Sequence, residues 1–221
     1  MSEAKTIGVI GGMGPAATLD FFAKLIAATP AARDQDHLRV LIDSNPRVPD
    51  RNAAIAGRGP SPGPALAASA RALERSGADA LVIACNTAHA FQADIEAAVS
   101  IPLLSMIDAT VDAALAMHPA RVGVLAAEGC RRAGLYQRAF AARNVEALLL
   151  ADGAQQDFMD LIYRVKAGDV GQDVRRRMEG LAISLNASGA QSVVAACTEV
   201  PLVLGGEVLA ELNDHVRELL V

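Results

Sequence analysis

Residues 122–129, VGVLAAEG, repeat the pattern of residues 7–14, IGVIGGMG, and that match decides how the chain is built. A second pair follows in the same order: GADALVIAC over residues 77–85 and GAQSVVAAC over residues 189–197. The separation from Gly8 to Cys85 is nearly that from Gly123 to Cys197, so two separate matches imply one duplicated unit. Short apolar runs without polar alternation stand at 7–10, 38–42, 80–84, 122–126, 145–150 and 192–196, as strands covered on both faces do. Between them, 16–28, 65–76, 88–99, 131–143, 155–166 and 173–186 carry apolar residues at helical spacing. Strands alternating with helices imply a parallel α/β architecture. The expected division is a first α/β lobe over 1–107, a second over 108–207, and a C-terminal helix over 208–221, with return to the first lobe as one option.

Composition narrows the function classes. The chain has 221 residues, 52% hydrophobic and 20% charged, enough to bury a sizeable core in one large domain or two small ones. A net charge of -5, scattered Lys and Arg, two Tyr, five Phe and no Trp provide no basic stripe and no stacking platform, so nucleic acid is not an expected partner. No apolar run reaches transmembrane length and MSEAKT lacks a signal-peptide layout, so no membrane partner is expected. Three cysteines without a disulfide framework fit free thiols in a reducing cytoplasm.

The stretch 44–64, SNPRVPDRNAAIAGRGPSPGP, reads as a long Pro- and Gly-rich loop without a regular element, of the kind that serves as a lid or binding loop. Gly12-Met13-Gly14-Pro15-Ala16-Ala17 fits the G-x-G-x-x-G/A dinucleotide turn, with Asp43 after the second strand where a ribose-binding acid would sit. The second copy has lost that glycine pattern, whereas the strand-end cysteine stands in both.

Cys85 and Cys197 each close a strand at its carboxyl end, where open α/β sheets place ligands. Each precedes a helix-start signal, Asn86-Thr87 and Thr198 with Pro201. A helix N-terminus is expected to lower the thiol pKa from roughly 8.5 toward neutrality, and its free N–H groups favour a carboxylate. Two such units about a pseudo-twofold axis are expected to set the thiols facing each other across a small anion-binding cleft. One thiolate then removes a proton from a stereogenic carbon while the opposite thiol protonates the other face, which is racemisation.

With these residues in place, IGVIGGMGP, VPDRNAAI with GPSP, ACNTAHA, SMIDAT, RVKAGD and ACTEVPLVL resemble the aspartate racemase branch of the aspartate/glutamate racemase superfamily, from Ile7 to about Leu204. The resemblance implies two flavodoxin-like lobes with the active site between them, cofactor-independent interconversion of L- and D-aspartate without PLP, and a homodimer. It assigns Cys85 and Cys197 as the acid/base pair. Asn86, Thr87 and Thr198 resemble residues holding the α-carboxylate, Arg51 and Lys166 those gripping the side-chain carboxylate, and Met13 and Gly14 those lining the cleft. Cys130 stands where family members commonly have a substrate-holding threonine and so joins the candidate set, although an inert packed thiol is the preferred reading of it. Glu199 completes the set; cell-wall glutamate racemases carry histidine there, which favours aspartate.

Other readings stay open. Glutamate or a broader range of amino acids could be the substrate of the same mechanism. A nicotinamide-dependent oxidoreductase and a non-catalytic amino-acid binder are more distant. Cys85 and His89 could begin a metal site, but no second close pair follows and His37, His118 and His215 are scattered, so no metal is expected; His89 is read as capping or packing in its helix.

Overall fold

The computed structural model describes residues 5–204 and divides between Met106 and Ile107 into two compact units. The segment 208–221, read as a C-terminal helix, and His215 lie outside the described residues.

In the first unit, β1 (Thr6–Gly11), β2 (Arg39–Ser44), β3 (Ala80–Ile83) and β4 (Leu103–Leu104) form a parallel sheet in the order β2-β1-β3-β4. Helix α1 (Pro15–Ala28) follows β1, α2 (Arg51–Ile55) and α3 (Gly63–Arg75) follow β2, and α4 (Gln92–Glu96) precedes β4. Central β1 is fully buried at Val9 and Ile10. Edge strand β2 departs from the expectation of strands covered on both faces: its residues are exposed or half-buried, because among the described residues no strand pairs beyond it.

Helix α5 (Met106–Leu115) opens at the division. In the second unit β5 (Arg121–Val124), β6 (Glu146–Leu149) and β7 (Ser192–Val194) form a parallel sheet in the order β6-β5-β7, with α6 (Glu128–Arg132), α7 (Leu135–Ala141), α8 (Asp152–Lys166), α9 (Gln172–Ala187) and α10 (Pro201–Leu204) between and after the strands. Successive β5 residues point to opposite faces. Val122 and Val124 therefore pack with Tyr136 and Phe140, while Leu125, the first residue beyond the strand, packs with Phe158, Met178 and Leu185.

The duplication read from sequence recurs in packing. A Cβ on Gly8 would lie 2.8 Å from Leu81, 3.0 Å from Ala78 and 3.2 Å from Leu73; one on Gly123 would lie 2.9 Å from Leu185, 3.1 Å from Val193 and 3.2 Å from Ala190. Those trios are corresponding residues of the two copies. In both, glycine lets a helix and a neighbouring strand close onto the central strand. The helices end alike too, at Gly77 with φ +92 and Gly189 with φ +98, conformations that suit glycine.

Three expectations about local structure are corrected. The stretch 44–64 is not without a regular element: Asp50 accepts a hydrogen bond from the Ala53 amide at 2.6 Å and caps α2 within it. The single helix expected over 88–99 is a 3₁₀ turn, Thr87–Phe91, followed by α4. There His89 Nδ1 lies 3.0 Å from the Cys85 carbonyl, and the His89 amide bonds one residue nearer, to Asn86. The helix expected over 131–143 breaks at Gly134, left-handed at φ +62, into α6 and α7.

Candidate functional site

The first unit brings several candidate residues to the carboxyl edge of its sheet. Ile10 pairs with Ile83, so two residues further on each strand lie Gly12 and Cys85. Gly12 takes φ +86, and a Cβ there would sit 2.3 Å from the Asn45 amide nitrogen, so only glycine fits this turn. In the other copy Ala127 occupies the corresponding place at φ -59, where a side chain is unstrained; the second turn can therefore lose its glycines.

Thr18 and Arg51 hold the glycine turn. The Gly12 amide donates to Thr18 Oγ1 at 2.8 Å, and that hydroxyl donates to the Gly14 carbonyl at 3.0 Å. Arg51 donates through Nη1 to the carbonyls of Val48 (3.2 Å) and Pro49 (2.9 Å), and through Nη2 to that of Met13 (3.4 Å). Arg51 thus fastens the 44–64 stretch to the glycine turn, while Met13 and Cys85 share one buried cluster. Its Nε is buried without a hydrogen-bond partner.

Cys85, Asn86 and Thr87 are all buried. His89 is held in one tautomer by its neighbours: Nδ1 faces the carbonyls of Cys85 (3.0 Å) and Asn86 (3.2 Å) and must donate, while Nε2 accepts from the Met106 amide at 3.3 Å. A neutral imidazole braces the cysteine turn, in keeping with the packing role read for it. Among the described residues, no group of three or more His, Cys, Asp or Glu is placed to hold a metal ion.

The second unit assembles Cys197, Thr198, Glu199 and Lys166. Cys197 follows β7 by three residues, and Lys166 ends α8. Glu199, 3% exposed, lies between them: its Oε1 forms an ion pair with Lys166 Nζ, and its Oε2 accepts from Cys197 Sγ at 3.0 Å and from Thr198 Oγ1 at 3.4 Å. A buried carboxylate is tolerated here because an ammonium and two hydrogen-bond donors compensate it.

The expectation of a depressed thiol pKa is overturned at Cys197. Burial pushes this thiol well above its ordinary value, and the adjacent negative Glu199 pushes it further; the Lys166 charge opposes but does not outweigh them. A helix end by itself lowers a thiol pKa, but here desolvation and the acid two residues on prevail.

Cys130 packs with Tyr136 and Phe140, in a different buried cluster from that of Cys197. Sequence reasoning also missed Thr18, the hydroxyl that ties the glycine turn to α1. The signal was available: a threonine four residues after Gly14, at the spacing from which a side-chain hydroxyl bonds back to the carbonyl one turn earlier.

The family model described as Asp/Glu/Hydantoin racemase matches residues 10–216. The chain is 28% identical over 222 residues to the broad specificity amino-acid racemase RacX of Bacillus subtilis (strain 168), covering 96% of this chain and 88% of that protein. It is 36% identical over 147 residues to a glutamate racemase of Pseudomonas aeruginosa, but spans only 52% of that protein's length. Among solved structures, Picrophilus torridus aspartate racemase superposes with a TM-score of 0.83 at 29% identity, over 94% of this chain and 87% of that one.

Proposed function

The chain belongs to the Asp/Glu/hydantoin racemase family, which makes it an isomerase, and from that premise we propose that it interconverts L- and D-aspartate by proton transfer between Cα and two thiols, Cys85 and Cys197. The observation that carries this reading is the placement of one buried thiol beyond the strand that pairs with the central strand in each unit, β3 and β7, next to residues able to bind a carboxylate. Enantiomers differ only by inversion at one carbon, so the reaction needs a base on one face of Cα and an acid on the other. Two groups of one chemical type serve both directions: the thiolate that deprotonates one enantiomer is, once protonated, the acid that forms it.

Removing a weakly acidic α-proton requires stabilisation of the charge that develops toward the α-carboxylate. Asn86, Thr87 and Thr198, each beside a cysteine, are assigned that task; Lys166 and Arg51 are assigned the side-chain carboxylate, with Met13 and Gly14 lining the substrate. No cofactor has a place in this scheme, since both protons reside on side chains. Free thiols fit a cytoplasmic setting. A homodimer fits the apolar surface around α1 and edge strand β2, where Leu19, Ile26, Leu38 and Ile42 are exposed.

A second reading keeps the mechanism and widens the substrate, and the broad-specificity relative from Bacillus subtilis supports it. One experiment separates the possibilities: a panel of single-enantiomer amino acids incubated in deuterium oxide, with chiral chromatography and mass spectrometry at Cα. Aspartate is expected to racemise fastest and to carry one deuterium in the product, and C85S and C197S are expected to lose racemisation. Intact protein that exchanges no α-proton on any member of the panel would end the proposal.

A further inference from the structure

Glu199 is the one buried acid among the described residues and touches a candidate catalytic sulfur, whereas the residue at the corresponding place after Cys85 is Thr87. The two thiols therefore differ in surroundings although their strands are equivalent. One carboxylate oxygen faces Sγ at 3.0 Å and the other is paired with Lys166, so a proton can pass between sulfur and oxygen beside a compensating cation. In one form Cys197 is a thiol, Glu199 a carboxylate and Lys166 an ammonium. In the other the Sγ–H bond is broken, an Oε2–H bond is formed, and the negative charge has moved to sulfur. Net charge is the same in both, so interconversion asks for no change of charge in a buried place.

We propose that Glu199 is a positioning residue that acts through Cys197, taking the thiol proton when this sulfur must serve as base and returning it when the sulfur must serve as acid. This inference rests on the racemase reading above and deepens it. Among the described residues, the titratable groups that act on the pair include Lys166 from α8, paired with Glu199, and the Tyr136 hydroxyl of α7, which feels the charge of Cys197 and which burial keeps protonated. Lys166 holds the resting form by favouring the carboxylate. A substrate carboxylate that draws the ammonium away raises the proton affinity of Glu199 and thereby activates Cys197. Binding of a dicarboxylic substrate is in this way coupled to generation of the base, a link that a monocarboxylic amino acid cannot make.

The test is Glu199→Gln, which keeps the shape and removes the charge and the proton acceptor. Two readouts are needed. The first is the pH dependence of iodoacetamide alkylation at Cys197, followed by peptide mapping without substrate; the expected result is a downward shift of its midpoint by about one pH unit or more, since the carboxylate that opposes the thiolate is gone. The second is the pH profile of turnover with aspartate; kcat is expected to fall about a hundredfold with KM within a few-fold. For enantiomers the equilibrium constant is unity, so kcat/KM must fall equally in both directions; the non-equivalence of the thiols is read instead from unequal primary deuterium isotope effects on the L- and D-substrates. A more ionisable thiol in a poorer catalyst is a combination that a merely structural glutamate does not produce, and Glu199→Asp should restore part of kcat.

An unmoved Cys197 midpoint, or wild-type kcat and pH profile in E199Q, overturns the inference. Should E199Q fail to fold by circular dichroism, Lys166→Gln probes the same couple: with the ammonium lost Glu199 holds the shared proton more strongly, so alkylation of Cys197 at pH values below the wild-type midpoint must rise, and unchanged or slower alkylation there overturns it. Wild-type racemisation with an unmoved E199Q titration sinks this inference alone. Absence of racemisation by intact wild-type protein sinks the proposed function and with it any catalytic use of the couple.

Discussion

Replacing Thr18 by valine isolates what holds the glycine turn. Valine keeps the branched shape at a site 3% exposed and removes only the hydroxyl. That hydroxyl accepts from the buried Gly12 amide at 2.8 Å and donates to the Gly14 carbonyl at 3.0 Å. The two losses are unequal. Gly14 keeps a second donor, the Thr18 amide at 3.1 Å, whereas the Gly12 amide is left without its hydroxyl acceptor. A buried donor left unsatisfied costs about 1–3 kcal/mol, so about 2 kcal/mol is expected for T18V. For a chain of this size each kcal/mol moves Tm by about 2–4 °C, giving a fall of about 4–8 °C by scanning calorimetry. Thr18→Ser is the control: it keeps both hydrogen bonds and loses one methyl, at about 0.8 kcal/mol. T18V melting within a degree of wild type, or T18S falling further than T18V, would refute the reasoning.

Two more predictions concern stability. Gly123→Ala places a methyl 2.9 Å from Leu185 Cβ and should cost about 1–3 kcal/mol in urea denaturation; Gly8→Ala should cost a similar amount, because its three contacts are the corresponding ones, and a neutral result at either site contradicts the shared packing. Asp79 accepts from the Thr6 amide at 2.7 Å, and that bond, aided by the Lys5 charge, holds its carboxyl below the ordinary range. A lowered folded-state pKa means that the contribution is full above the unfolded value of about 3.9 and is lost as pH falls through the folded one. Asp79→Asn should therefore melt below wild type at pH 7, with the gap closing as the pH is taken below about 3.9; a gap that persists in acid would show that the charge is not its source.

Much of the fold was legible because its signals are local. Short unalternated apolar runs and helical periodicity placed six strands and the main helices, and the repeated GVxxxxG and GAxxxVxAC patterns identified the duplication that the Gly8 and Gly123 contacts repeat in packing. The exceptions arise where side chains intervene in backbone pairing. His89 faces the carbonyl that the expected helix would have used, Asp50 starts α2 inside an apparent loop, and Gly134 breaks a continuous apolar periodicity. Strand β4, two residues long, is too short to show a period.

The candidate site divides along the same line. Sequence alone determined that each copy carries a cysteine near the carboxyl end of a strand, which the structure sets two residues beyond β3 and three beyond β7, that only the first keeps a glycine turn, and that residues suited to carboxylates stand beside both thiols. Tertiary structure alone decided what Cys197 feels: Lys166 and Glu199 are 33 positions apart in the chain, yet α8 ends where the turn after β7 begins, and their ion pair sits beside a desolvated sulfur. Periodicity and motif report on neighbours along the chain. Burial, and the pairing of charges that burial forces, depend on which distant segments pack together.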